Sequence, residues 1–164
     1  MENFNWTSFT KKVPIKSTVS ELYKAWTVPK EIEKWFLSEA LYKRANGEVI
    51  ASNESIAAND RYEWSWFLYE TIEKGKVLEA NGVDCLKFTF AGDCIVTISL
   101  TQKEETVIVS LTQSNIPTDN QSKRGIRIGC DSGWSFFLVN LKSVYEGGLD
   151  LRNKDESLTG MLND

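Results

Sequence analysis

The chain has 164 residues, 41% hydrophobic and 26% charged, enough for one domain with its own core; wholesale disorder and collagen-like repetition are excluded. Its 19 basic and 23 acidic residues leave a net charge of −4, which argues against adhesion to nucleic acid or an anionic membrane, since both need a basic face. Histidine is absent, which removes Ser-His-Asp and Cys-His catalysis, the imidazole base and mixed Cys/His zinc sites.

Residues 1–6 carry an acid at position 2 and no apolar run, so no export signal is expected. No stretch approaches the roughly 20 apolar residues of a bilayer span, and a cytoplasmic location is the expectation. Val13 and Ile15 alternate in a first strand over residues 4–16. Thr18 followed by Glu21 has the form of a capping box, and Leu22, Tyr23, Ala25 and Trp26 then fill one helical face. Pro29 ends that helix and opens a second over residues 29–36, with Ile32, Trp35 and Phe36 on one side. Strands over residues 39–43 and 48–52 flank Asn46-Gly47, a hairpin dipeptide.

The period then becomes 2. Tyr62, Trp64, Trp66 and Leu68 alternate with Glu63, Ser65 and Phe67; Leu86, Phe88 and Phe90, then Val96, Ile98 and Leu100, then Val107, Val109 and Leu111 repeat the pattern. Short polar turns between the later runs imply an antiparallel meander. After Ile116-Pro117 a polar loop is expected to about Gly129. Trp134, Phe137, Leu138, Leu141, Val144 and Tyr145 then mark one face of a long helix that ends at Gly147-Gly148, with Asp131 or Ser132 as N-cap. This order of elements is an α+β domain of about six to seven strands, two short helices and a long C-terminal helix over the sheet. One domain over residues 1–152 and a polar, frayed tail over 153–164 are expected.

Several short segments resemble one family in its own order. They are Ala25-Trp26-Thr27 with Pro29 and Lys34-Trp35-Phe36; Gly75-Lys76-Val77-Leu78-Glu79; Leu111-Thr112-Gln113 with Ile116-Pro117; and Gly133-Trp134-Ser135 through Asn140-Leu141-Lys142 to Glu146-Gly147-Gly148-Leu149-Asp150-Leu151-Arg152. Across residues 13–152 the chain resembles the activator of heat-shock-protein ATPase-like family of the START/polyketide-cyclase superfamily. The resemblance implies the helix-grip fold, a curved antiparallel sheet whose concave face is covered by the C-terminal helix. It also implies a pocket between sheet and helix, used by relatives for lipids, polyketides or other apolar molecules. The eukaryotic activator has a separate preceding domain that helps stimulate the chaperone ATPase. The residues ahead of Val13 leave no room for one, so ATPase stimulation is not expected, whereas chaperone contact stays open.

The aromatic set carries the functional reading. Tyr62, Trp64, Trp66, Phe88 and Phe90 from the sheet, with Trp134, Phe137, Leu138, Leu141 and Tyr145 from the helix, would meet between the two layers; Trp26, Trp35 and Phe36 would guard the mouth. Such residues either fill a core or line a cavity, because large rings with polar tips are rarely buried completely. Three functions stay open: binding of a small hydrophobic or amphipathic ligand (lipid-, flavonoid- or polyketide-like), a module for contact with a chaperone or a second copy, and a His-free cyclase or hydrolase. No catalytic residue, metal or cofactor is assigned. Arg61, Glu63 and Tyr69 have the opposite strand parity from Trp64 and belong to a solvated face or cross-strand ion pairs. Tyr42, Tyr145 and Asp93 could fix a polar ligand group, and Lys123, Arg124 and Arg127 could form a basic loop or lid. Cys85, Cys94 and Cys130 form no C-x-x-C pair and read as inert thiols, the alternative being a reactive Cys130 at a helix start.

Overall fold

A computed structural model describes residues 4–163; Met1–Asn3 of the opening segment and Asp164 of the tail lie outside the described residues. The first strand, β1 (Phe9–Lys16), is shorter than the alternation suggests, because Asn5 accepts hydrogen bonds from the amides of Thr7 and Ser8 and turns the chain first. Thr18 caps α1 (Val19–Thr27) by accepting from the Glu21 amide at 3.2 Å, while the Glu21 carboxylate takes the Ser17 hydroxyl. Pro29 opens α2 (Pro29–Ile32), which is half the expected length; residues 33–36 continue as turns that still place Trp35 and Phe36 inward.

The sheet corrects two strand expectations. β2 (Glu39–Lys43) does not pair with residues 48–52, where only an isolated bridge joins Lys43 to Val49. Arg44 instead reaches Asp60, at 2.7 Å, and Glu54, holding the intervening loop down, and Ile50 and Ile56 are buried beneath it. The partner of β2 is β3 (Arg61–Ser65), with Tyr42 opposite Tyr62 and Ala40 opposite Trp64. That strand stops before Leu68, whose φ of 60° breaks the extended backbone. The strand missed by periodicity is β4 (Glu73–Ala80): its inward positions are Glu73, Gly75 and Val77, of which only the last is apolar. Then follow β5 (Cys85–Phe90), β6 (Cys94–Lys103) and β7 (Thr106–Ser114). The seven strands form one curved antiparallel sheet in the order β1-β7-β6-β5-β4-β3-β2.

Residues 120–128 are helical rather than a polar loop. Asp119 caps α3 (Asn120–Ser122), a π-helical turn (Lys123–Ile128) follows, and α4 (Gly129–Glu146) continues without a break. Ile128, not Asp131 or Ser132, therefore occupies the position before α4. At 18 residues α4 is about 27 Å long. It lies over the concave face, with Trp134, Leu138 and Leu141 buried against the sheet.

The basic-lid expectation fails at Arg127. Arg127 is buried, donates to the Asn5 carbonyl and to Asp131, both at 2.9 Å, and lies within 5 Å of the Phe4 and Phe9 ring centroids. It ties the N-terminal segment to the helix. The end of the chain is also held: the Asn153 amide donates to the Asn163 carbonyl at 2.8 Å, so residues 153–163 turn back. Buried Asn140 donates to the Trp35 carbonyl and to Asp150, and accepts from the Leu151 amide. Arg152 adds bonds to the Leu37 and Glu33 carbonyls. Much of the Asn140-to-Arg152 motif behind the family resemblance is therefore a staple joining α4 to the turn after α2.

Candidate functional site

The gap between sheet and helix has a solid part and an open part. In the solid part Tyr62 stacks on Trp64 with ring centroids 3.9 Å apart, Trp26 meets Trp35 edge-on at 4.6 Å, and Phe36 stacks on Trp134 at 5.0 Å. Tyr62, Trp64, Phe88, Leu138, Leu141, Trp26 and Trp35 are all buried in this packing. Trp35 donates its indole N–H to the Ala25 carbonyl, so it serves the core rather than a mouth. Tyr145 lies elsewhere, in an open polar groove with Lys24 and Glu31, and donates to Glu31 at 3.2 Å.

Toward the start of α4 the packing opens into a cavity of about 370 Å³. Phe36, Trp66, Phe90, Trp134 and Phe137 line it, so the structure brings together five of the sequence-selected aromatics at one end. The space exists because the helix presents Gly125, Gly129 and Gly133 to it, one turn apart. A Cβ at Gly125 or Gly133 would meet nothing within 4 Å, and one at Gly129 only the Arg124 carbonyl at 3.9 Å. The opposite wall is the segment after β3, with Phe67, Tyr69 and Thr71. Phe67 is held by Arg152, 5.1 Å from its centroid, and Lys154, at 4.8 Å.

The polar groups at the cavity are few. Glu73 pairs in register with Trp64, so it occupies the inward face of the sheet. It accepts from the Ala91 amide at 2.7 Å, and burial pushes its carboxyl above the usual range against that bond. Trp66 has a buried indole N–H with no acceptor. Burial pushes the Cys130 thiol up to about 11, which answers the reactive-thiolate alternative: a thiol is a poor nucleophile when protonated. Glu63, by contrast, is outward and pairs with Lys43 and Lys74, the cross-strand arrangement expected from its parity.

Sequence reasoning missed Glu73, Phe67, Thr71, Ala91 and the glycines as lining residues. The readable signal was Gly125-x3-Gly129-x3-Gly133, a spacing that bares one helical face; reading residues 118–129 as a loop hid it. Among the described residues no group of three or more Cys, Asp or Glu is placed to hold a metal ion, and no helix is long and apolar enough to cross a membrane.

Over residues 16–146 the sequence matches the family described as activator of Hsp90 ATPase homolog 1-like protein, AHSA1. The chain belongs to this family. No curated protein matches this AHSA1-like chain. Among solved structures it is similar to the Aha1 dimer from Colwellia psychrerythraea, at 17% identity and TM-score 0.67, over 86% of this chain and 97% of that one. It is similar to an HSP90 activator from Plasmodium falciparum, at 17% identity and TM-score 0.61, over 84% and 95%. A protein in the dynemicin biosynthetic locus is similar at 19% identity and TM-score 0.66, over 90% of this chain and 50% of that one. At these identities the likeness is one of fold, the START-like helix-grip arrangement.

Proposed function

We propose that this AHSA1-like chain is a non-catalytic receptor for a small hydrophobic or amphipathic molecule, held in the cavity at the start of α4. The observation that carries the reading is the cavity's position: the sheet–helix gap is packed solid in the middle and stays open where three glycines face five aromatic rings. Its volume falls within the range of about 300–1,000 Å³ typical of small-molecule sites. Removing apolar surface from water gains about 25 cal/mol per Å², so a medium-sized guest needs few polar contacts to bind.

A panel of fatty acids, flavonoids, aromatic polyketides and naphthyl alcohols and amines, followed by intrinsic tryptophan fluorescence, tests it. Saturable changes in the wild type that disappear in Gly133→Phe support the reading; silence across the panel, or changes that persist in that variant, contradict it. A second reading, an interaction module that meets a chaperone or another copy of itself, is favoured by the likeness to the Colwellia Aha1 dimer and the Plasmodium HSP90 activator. Light scattering and capture by purified Hsp90 separate it from the first.

A further inference from the structure

The unbalanced group in the cavity is Glu73. Asp60 meets Arg44, Asp131 meets Arg127 and Lys11, and Asp150 meets Arg152 and Lys154. Glu73 is partly buried too, but its only polar partner among the described residues is the Ala91 amide, which occupies one carboxylate oxygen. Its place is fixed by the sheet register: with Trp64 directly opposite on β3, Glu73 is on the concave face, half-buried beside the aromatic lining of the cavity. No Lys or Arg lines the cavity. The nearby cations Arg152 and Lys154 lie against the Phe67 ring, do not line the cavity and are already paired with Asp150.

A carboxylate without a counter-charge, set in an aromatic wall, is complementary to one kind of guest. Partial burial of an unpaired charge is costly, and a cation brought by the ligand relieves that cost through a charge-assisted hydrogen bond. Ring faces add to the attraction, because their negative quadrupole favours a cation within about 6 Å of the centroid. Trp66 and Phe90 supply such faces, and the three glycines leave room for a flat apolar frame alongside them.

We infer that the guest of this cavity is an organic amine, a protonated nitrogen on an apolar or aromatic frame, with the ammonium at Glu73 and the frame between the aromatic wall and the glycine face of the helix. This rests on the receptor reading above and narrows it to a ligand class. A fatty acid or other carboxylate is the disfavoured guest, since it would bring a second negative charge beside Glu73.

Three probes with one frame decide the matter: 1-naphthylmethylamine, 1-naphthylmethanol and 1-naphthoate, titrated by calorimetry into wild type, Glu73→Gln, Gly133→Phe and Gly129→Phe. Expected in the wild type is an amine affinity about tenfold or more above that of the alcohol, with naphthoate weakest. Glu73→Gln should bring amine and alcohol to within about twofold of each other, and either Phe variant that retains its fold should lose both. Equal binding of amine and alcohol, or an amine preference that survives Glu73→Gln, overturns the amine assignment. If the alcohol still binds and the Phe variants abolish it, the receptor reading stands without the amine. If no probe binds, or binding ignores the Phe variants, both fall.

Discussion

Tyr62 and Gly75 face each other across β3 and β4, and the tyrosine ring lies over the glycine so that its hydroxyl donates to the Thr89 carbonyl on β5. A Cβ at Gly75 would overlap that ring and sit 2.7 Å from the Thr89 Oγ1. The close approach lets one side chain span three strands beneath the aromatic core. Gly75→Ala is therefore expected to destabilise the fold by about 1–3 kcal/mol, the cost of overpacking a filled site. Urea denaturation checks it, and an unchanged midpoint would contradict the packing described.

Gly133 should behave in the opposite way. Its Cβ position is open, so alanine relieves the helix of glycine's backbone freedom without a clash. Gly133→Ala is expected to raise stability by about 0.5–1 kcal/mol, read as a higher thermal midpoint. A lower midpoint would mean that the helix face is not free. A glycine that costs the helix stability fits a surface kept clear for a guest.

Asp150 gives the acid response. Burial opposes its charge, but donors from Arg152, Lys154 and Asn140 outweigh that opposition and hold its carboxyl well below the usual carboxylate range. The folded state then binds fewer protons than the unfolded chain. Its stabilising contribution is complete above the unfolded value of about 4 and is lost as pH falls below it. Denaturation at neutral pH and near pH 3 should show a smaller acid loss in Asp150→Asn than in the wild type; equal losses would contradict the assignment. Asn140→Ala should cost about 2–3 kcal/mol at neutral pH, because it leaves the Trp35 carbonyl and the Leu151 amide unpaired.

Cys130 tests access to the cavity. With its thiol pushed up to about 11, only about a thousandth is thiolate at pH 8, and alkylation by iodoacetamide, followed by peptide mass spectrometry, should be far slower than for a free cysteine. Labelling at the rate of an ordinary exposed thiol would show the cavity wall at Cys130 to be open to water and would contradict its burial.

The long helix, the capping residue Thr18 and the alternating strands β5, β6 and β7 were legible because their apolar periods are strong and uninterrupted. β4 was not, since Glu73 and Gly75 occupy two of its inward positions, and an acid and a glycine carry no apolar period. The hairpin dipeptide Asn46-Gly47 does make its turn, but Arg44 binding Asp60 and Glu54 draws the following residues into a loop. Aromatic content announced a core or a pocket without dividing the two. The division depends on where bulk is missing, at Gly125, Gly129 and Gly133, and a lack of side chain leaves little trace in a hydrophobic pattern.

Proton–nitrogen correlation spectra recorded during titration with 1-naphthylmethanol test the open end of the core most directly. A guest seated there should shift the amides of Gly125, Gly129 and Gly133 and the Trp66 indole N–H together and saturably, while the Trp35 indole, bonded to the Ala25 carbonyl, stays in place. Glycine amides unmoved up to the solubility limit, or shifts centred on Trp35, would contradict a receptor site at the start of α4.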